Sequence, residues 1–167
     1  NAPQIIYLDE VDSTNNYARL MADKINSDFL VVADMQTLGK GRMGRSWSSP
    51  AGIGIFMSLC IKPEMAVEKA SMITLVTAIS ICDAIEELYH ISSTIKWPND
   101  ILVGSRKMVG ILMDRAKLIA GIIYHFYQNF NTFLKTEDMS GLKENYEKHL
   151  ANIGKDVKIL DPKGSYQ

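Results

Sequence analysis

Three cations, Lys40, Arg42 and Arg45, alternate with three glycines in the stretch TLGKGRMGRSW, residues 37–47. Glycine allows backbone conformations that turn several N–H groups toward one anion. Guanidinium forks add bidentate donors suited to phosphate or carboxylate. The stretch can therefore clamp a phosphate, or it can be a surface loop of solvated charges. A nucleic-acid patch is a third reading, weakened because Trp47 is its only aromatic platform. The spacing of a nucleotide-binding P-loop is absent.

A second stretch, KWPNDI, spans residues 96–101. The proline imposes an extended approach, and Asn99 and Asp100 then occupy a tight turn. A carboxylate there can bind Mg2+ or orient a reacting group, although a hairpin turn uses the same residue types. Lys107 opens the apolar stretch KMVGIL, where a lysine either snorkels to solvent or reaches a phosphoryl group. DSTN, residues 12–15, offers helix caps, and Ser13 and Thr14 could also face a polar ligand. His90, His125 and His149 show no metal-ligand spacing, and His125 reads as structural.

Elements must hold these stretches in place. Residues 5–8, 29–33 and 53–61 read as strands, and 15–24 as a helix. A long buried helix is expected over 66–89. Short strands at 94–97 and 101–103 flank the Pro98-Asn99-Asp100 turn, and 107–113 pairs back through Gly104-Ser105-Arg106. Residues 118–134 carry an amphipathic helical stripe, a short helix follows around Leu142, Tyr146 and Leu150, and a strand starts at 157–160. Strands adjacent in sequence, mixed with helices, predict an α+β layer fold.

The 167 residues suit one domain, or one domain with part of a second. Eighteen basic side chains against nineteen acidic ones exert no global pull toward nucleic acid or membrane, so any basic site is local. Cys60 and Cys82 lie in apolar runs and read as free thiols of a reducing cytosol. No signal peptide or membrane span is visible. Asn1-Ala2 reads as a possible vector-derived remnant.

In combination and in this order, DSTN, ADMQTLGKGRMGRSWSSP, KWPNDI and RKMVGIL resemble the biotin protein ligases, over roughly residues 5–114. Lipoate ligases share the fold but carry a different glycine-rich signature. The resemblance implies a mixed, largely antiparallel sheet flanked by helices, of the class II synthetase-like kind. It implies activation of biotin with MgATP to biotinyl-5′-AMP and transfer of biotin to a lysine of a biotin carboxyl carrier domain, in the cytoplasm. It assigns Ser13, Thr14, Gln36, Gly39, Lys40, Arg42, Lys107 and Gly110 to biotin. Arg42, Arg45, Trp47, Asn99, Asp100 and Lys107 go to ATP or the adenylate, with Arg42, Lys107 and Asp100 catalytic and Asp100 a candidate Mg2+ ligand.

The resemblance also implies departures. A catalytic domain over residues 1–152 lacks a segment of a few dozen residues at the Asp114–Arg115 junction, and with it the adenine-stacking residue. Residues 153–167 read as the incomplete start of a small C-terminal β-barrel. Related proteins carry an N-terminal helix-turn-helix that represses biotin genes, which makes a bifunctional ligase/repressor without its DNA-binding domain the alternative. No nucleic-acid partner is expected for this fragment, and a homodimer is possible.

Overall fold

The computed structural model describes residues 2–39, 49–97, 100–104, 106–107, 115–156, 159–161 and 164–166. These fall into two compact units. The first lies within Asn1–Glu64 and includes Arg115; the second lies within Met65–Met108 and Ala116–Gln167.

In the first unit, β1 (Gln4–Val11), α1 (Thr14–Ala22), β2 (Phe29–Gln36) and β3 (Phe56–Cys60) form a three-stranded sheet with one helix. β2 is central, parallel to β1 and antiparallel to β3. Its run Phe29, Leu30, Val31, Val32, Ala33 is buried throughout, as a strand covered on both faces requires. Phe29 and Val31 join Ala18 of α1 in a core shared with Ile6, Leu8, Tyr17, Met21, Ile25 and Cys60. Alternation along β1 turns Ile5 and Tyr7 outward, where both are exposed. β1 extends past the apolar residues that announced it, because main-chain pairing with β2 continues through Glu10↔Met35 and Val11↔Gln36. Lys62 follows β3 and closes α1: its Nζ donates to the carbonyls of Ala22 and Ile25 at 2.7 and 2.5 Å.

In the second unit, α2 (Ile73–Tyr89) and α3 (Arg115–Thr136, in this unit from Ala116 onward) supply buried core residues. The expected helix over 66–89 divides: Val67–Met72 is 3-10, and the α register starts at Ile73. No residue of Val67–Met72 is buried, whereas α2 buries Val76, Ala78, Ile79, Cys82, Ala84 and Ile85, so tertiary packing selects where the α-helix begins. α3 buries Leu118, Ile122, Phe126, Phe130 and Phe133, one stripe at helical spacing. Gly121 lets α2 approach, since a Cβ there would sit 2.6 Å from Leu88 Cδ1. His90 ends α2 in the left-handed region at φ 54°, with its N–H on the Glu86 carbonyl.

A second antiparallel sheet, β4 (Ser93–Lys96), β5 (Asp100–Val103) and β6 (Arg106–Lys107), belongs to this unit. A 3-10 turn at Ser140–Leu142 leads into α4 (Lys143–His149), and β7 (Ile159–Asp161) pairs with β8 (Gly164–Tyr166). The mixed strand pairing with flanking helices matches the α+β architecture expected from sequence. Among the described residues, no helix is long and apolar enough to cross a membrane.

Candidate active site

The first unit gathers the polar residues of β2, β3 and the start of α1. Thr14 donates both its backbone N–H and its hydroxyl to Gln36 Oε1, at 2.9 and 3.1 Å. Gln36 Nε2 in turn donates to Ser49 Oγ at 3.2 Å, and the Gln36 N–H reaches the Ser49 carbonyl at 3.1 Å. Ser58 of β3 lies 2.9 Å from Thr14 Oγ1 and 2.7 Å from Asn15 Oδ1, and its single hydroxyl proton serves one of them at a time. Ser13, Thr14, Ser49 and Ser58 are all buried.

Why these residues meet follows from the strand register. Val11, the last residue of β1, pairs with Gln36, the last of β2, so the turn into α1 begins where β2 ends. The turn is fixed by Thr37 N–H to the Val11 carbonyl at 2.9 Å and Leu38 N–H to the Asp12 carbonyl at 2.8 Å. Ser13 is the N-cap residue, yet its side chain makes no capping bond. Gln36 performs that task from another strand, while Asp12 accepts from the Ser13 N–H and from Asn16 Nδ2, each at 2.6 Å. Gly39 is buried directly after this turn. A short bridge at Gln36↔Ser49 fixes the chain again ten residues later in sequence.

Near the end of β2, Arg115 forms an ion pair with Asp34 and donates to the Gly54 carbonyl at 3.3 Å. Neither side chain is fully buried, so the pair is partly screened by solvent.

In the second unit, Asp100 opens β5 opposite Lys96, and Lys107 ends β6 opposite Leu102. Thr94 pairs with Leu102, so Thr94, Leu102 and Lys107 form one row across the sheet. Asp100 is half-buried and Trp97 is exposed beside the turn. Among the described residues, no group of three His, Cys, Asp or Glu side chains could hold a metal ion.

Ser13, Thr14, Gln36 and Gly39 are thus brought together in one unit, and Asp100 and the Lys107 backbone in one sheet of the other. Lys40, Arg42, Arg45, Trp47, Asn99, Gly110 and the Asp114 side of the Asp114–Arg115 junction lie outside the described residues. Ser49, Ser58 and Asn15 join the Gln36 network; none was given a site role from sequence, although Asn15 stood in DSTN and Ser49 at the end of the glycine-rich stretch. Their signal is only that small polar residues interrupt apolar or glycine-rich runs, which many surface turns share.

The sequence from 7 to 131 matches the biotin/lipoate A/B protein ligase family, and the chain belongs to that family. Among its relatives, the bifunctional ligase/repressor BirA of Bacillus subtilis is 41% identical over 77% of this chain, and the BirA of Escherichia coli K12 is 32% identical over 66%. The chain spans 42% and 34% of the lengths of these two proteins. The biotin protein ligase of Aquifex aeolicus, solved in complex with biotin and ATP, superposes with a TM-score of 0.81 at 24% identity, covering 98% of this chain and 84% of that one. That likeness is one of fold.

Proposed function

We propose that the chain is the catalytic domain of a biotin protein ligase. The observation that carries the proposal is the partly buried Thr14–Gln36–Ser49 network, placed where β2 runs out into the glycine-rich cationic stretch. Family membership and the relatives' names as biotin ligases support it.

In this reading, a biotin carboxylate oxygen attacks the α-phosphorus of ATP. The bond to the β-phosphate breaks, and pyrophosphate leaves with biotinyl-5′-AMP formed. Two anions must approach, so fixed cations aimed at the developing charge lower the barrier. Lys40, Arg42 and Arg45 supply such charge from the glycine-rich stretch, and Lys107 supplies it from the end of β6. Ser13, Thr14, Gln36, Gly39 and Gly110 hold the biotin head group. The network suits this role because Gln36 and Thr14 are already oriented by each other and cost little to order on binding. Trp47, Asn99 and Asp100 serve the nucleotide side. An acceptor lysine amine, deprotonated, then attacks the mixed-anhydride carbonyl of the adenylate and AMP leaves. The acceptor is a biotin carboxyl carrier domain in the cytoplasm.

Asp100, half-buried at the start of β5, would be a single protein ligand to a Mg2+ carried in on ATP phosphates and water. The ion would neutralise phosphate charge. We read the β7–β8 hairpin as the beginning of a small C-terminal barrel.

Biotin-dependent exchange of pyrophosphate into ATP by the full-length protein tests the reading. Arg42→Ala and Lys107→Ala are each expected to lower exchange by about 100-fold to 1,000-fold. Exchange driven by lipoate or octanoate in place of biotin would overturn the substrate. A second reading, a ligase that also represses, is favoured by the names of the two BirA relatives; biotin-dependent binding of operator-like DNA by the full-length protein tests it.

A further inference from the structure

Asp83, the first acidic residue of helix α2, collects donors from two other helices. Asn129 Nδ2 of α3 reaches Asp83 Oδ2 at 2.9 Å, and Asn145 Nδ2 of α4 lies 3.2 and 3.1 Å from its two oxygens. His149, the buried last residue of α4, faces the same carboxylate, with Nε2 3.4 Å from Asp83 Oδ1. Its other ring nitrogen, Nδ1, lies 3.3 Å from the Ser93 carbonyl at the start of β4.

Both ring nitrogens therefore face oxygens that can only accept. Nδ1–H can donate to the Ser93 carbonyl, while Nε2, which makes no hydrogen bond among the described residues, faces Asp83 Oδ1 across 3.4 Å, so a proton there gains charge attraction to the carboxylate. The groups around it agree. From α2, Asp83 and, at 4.0 Å, Glu86 present negative charge. Lys148 of α4 opposes them but is engaged by Glu86 at 3.0 Å. Cys82 of α2 stays neutral, because burial pushes its thiol up to about 11. Asn129 of α3 and the Ser93 carbonyl of β4 are uncharged. The facing Asp83 carboxylate raises the His149 pKa, against the opposing effect of burial.

Among the described residues β4 and β5 have four residues each and β6 two, so this sheet depends on packing against its neighbours. It packs against α2 through β4 and β5, with Ile95 and Ile101 buried, and is tied to the α4 end by the His149–Ser93 contact and the Ala151 N–H on the Ile95 carbonyl at 3.0 Å. Ser93 is adjacent to Thr94, which begins the row that ends at Lys107.

We infer that His149 is a positioning residue: as an imidazolium strung between Asp83 and the Ser93 carbonyl, it fixes the β4–β5–β6 sheet and thereby the placement of Asp100 and Lys107. The catalytic consequence rests on the biotin-ligase reading; the proton-linked placement of the sheet does not.

The test uses NMR and exchange kinetics on the full-length protein. In the wild type, the His149 ring is expected to titrate above the ordinary histidine value of about 6.5. The Leu102, Val103, Arg106 and Lys107 amide signals shift with the same midpoint. Asp83→Asn brings the ring midpoint down toward the ordinary value, and His149→Gln, which keeps an amide donor without the charge, removes the midpoint from the sheet signals. Exchange kcat falls as pH rises through the wild-type midpoint, with KM for biotin unchanged. His149→Gln lowers kcat on the order of 10-fold, less than the roughly 100-fold a 1 Å misplacement can cause, and loses that limb of the profile.

A ring that titrates at or below about 6.5, or sheet amides that ignore it, overturns the inference. If His149→Gln does not fold, the wild-type titration alone decides. Absence of exchange with biotin would count against the ligase reading and leave the NMR result standing.

Discussion

Gln36 caps the helix that begins at Thr14, although the two residues are 22 positions apart and lie on different elements. A first-turn N–H needs an acceptor from somewhere, and here a side-chain carbonyl on β2 supplies it. The same oxygen takes the Thr14 hydroxyl, so one amide fixes both the helix start and the side chain proposed to meet biotin.

Replacing Gln36 by Leu is expected to cost about 1–3 kcal/mol, because it leaves the Thr14 N–H buried without a partner. Urea unfolding of the variant measures this. Under the proposed reading, calorimetric titration with biotin shows a parallel loss of affinity. Gln36→Glu keeps the acceptor but loses the donor to Ser49, and is expected to fall between wild type and Leu in both measurements.

The Asp83–His149 pair predicts how stability varies with pH. Burial raises the Asp83 pKa, but the facing His149 ring and hydrogen bonds from Asn129 and Asn145 outweigh it and hold the carboxyl below its ordinary value of 3.8. That contribution is present above 3.8 and is lost as pH falls through the folded value. His149 is shifted upward from 6.5, so its contribution is complete below 6.5 and is lost as pH rises through its folded value. The pair thus stabilises most between these two ordinary values. Thermal melts across pH are expected to show a plateau there and a decline on both sides, and Asp83→Asn flattens both slopes.

Gly121 marks the close approach of α2 and α3. A valine there is expected to cost about 1–3 kcal/mol through overpacking against Leu88 and Ala84. Pairing it with Leu88→Ala restores part of the loss. A double-mutant cycle from chemical denaturation reads the coupling directly.

Lys62→Met removes the ammonium from the carbonyl of Ala22, the last residue of α1, and from that of Ile25 beyond it, while keeping most of the stem. The expected loss is about 0.3–1 kcal/mol at low salt, as for a cation at a helix C-terminus. It shrinks as ionic strength rises, which separates it from a packing defect in the same unfolding series.

What was readable from sequence depended on whether the signal was local. The apolar run Phe29–Ala33 and the stripe ending at Phe133 are periodic, and both became the elements they indicated. The start of α2 was misplaced because Val67 extends the apolar pattern, yet it is exposed and the α register begins only at Ile73. Ser13 and Thr14 were read as able to face a polar ligand, and Gln36 was named through family resemblance. Of the five described biotin candidates, Lys107 lies in the other unit, and Ser13, Thr14, Gln36 and Gly39 cluster around one turn. Their mutual bonds depend on the Val11↔Gln36 register, which no single stretch encodes. His149 was passed over because it was tested for metal-ligand spacing alone. Its partner Asp83 is 66 positions away, and the available hint was a carboxylate directly after the apolar run of α2.

The two thiols of the chain differ in a way that offers a practical handle. Cys60, partly buried on β3, and Cys82, wholly buried on α2, are both free and belong to different units. Alkylation requires the thiolate, which Cys82 forms only near the far alkaline end of the scale. A maleimide fluorophore at neutral pH should therefore mark the first unit alone, under the native fold and without engineered substitutions. Appearance of a second label would then report opening of the helical unit.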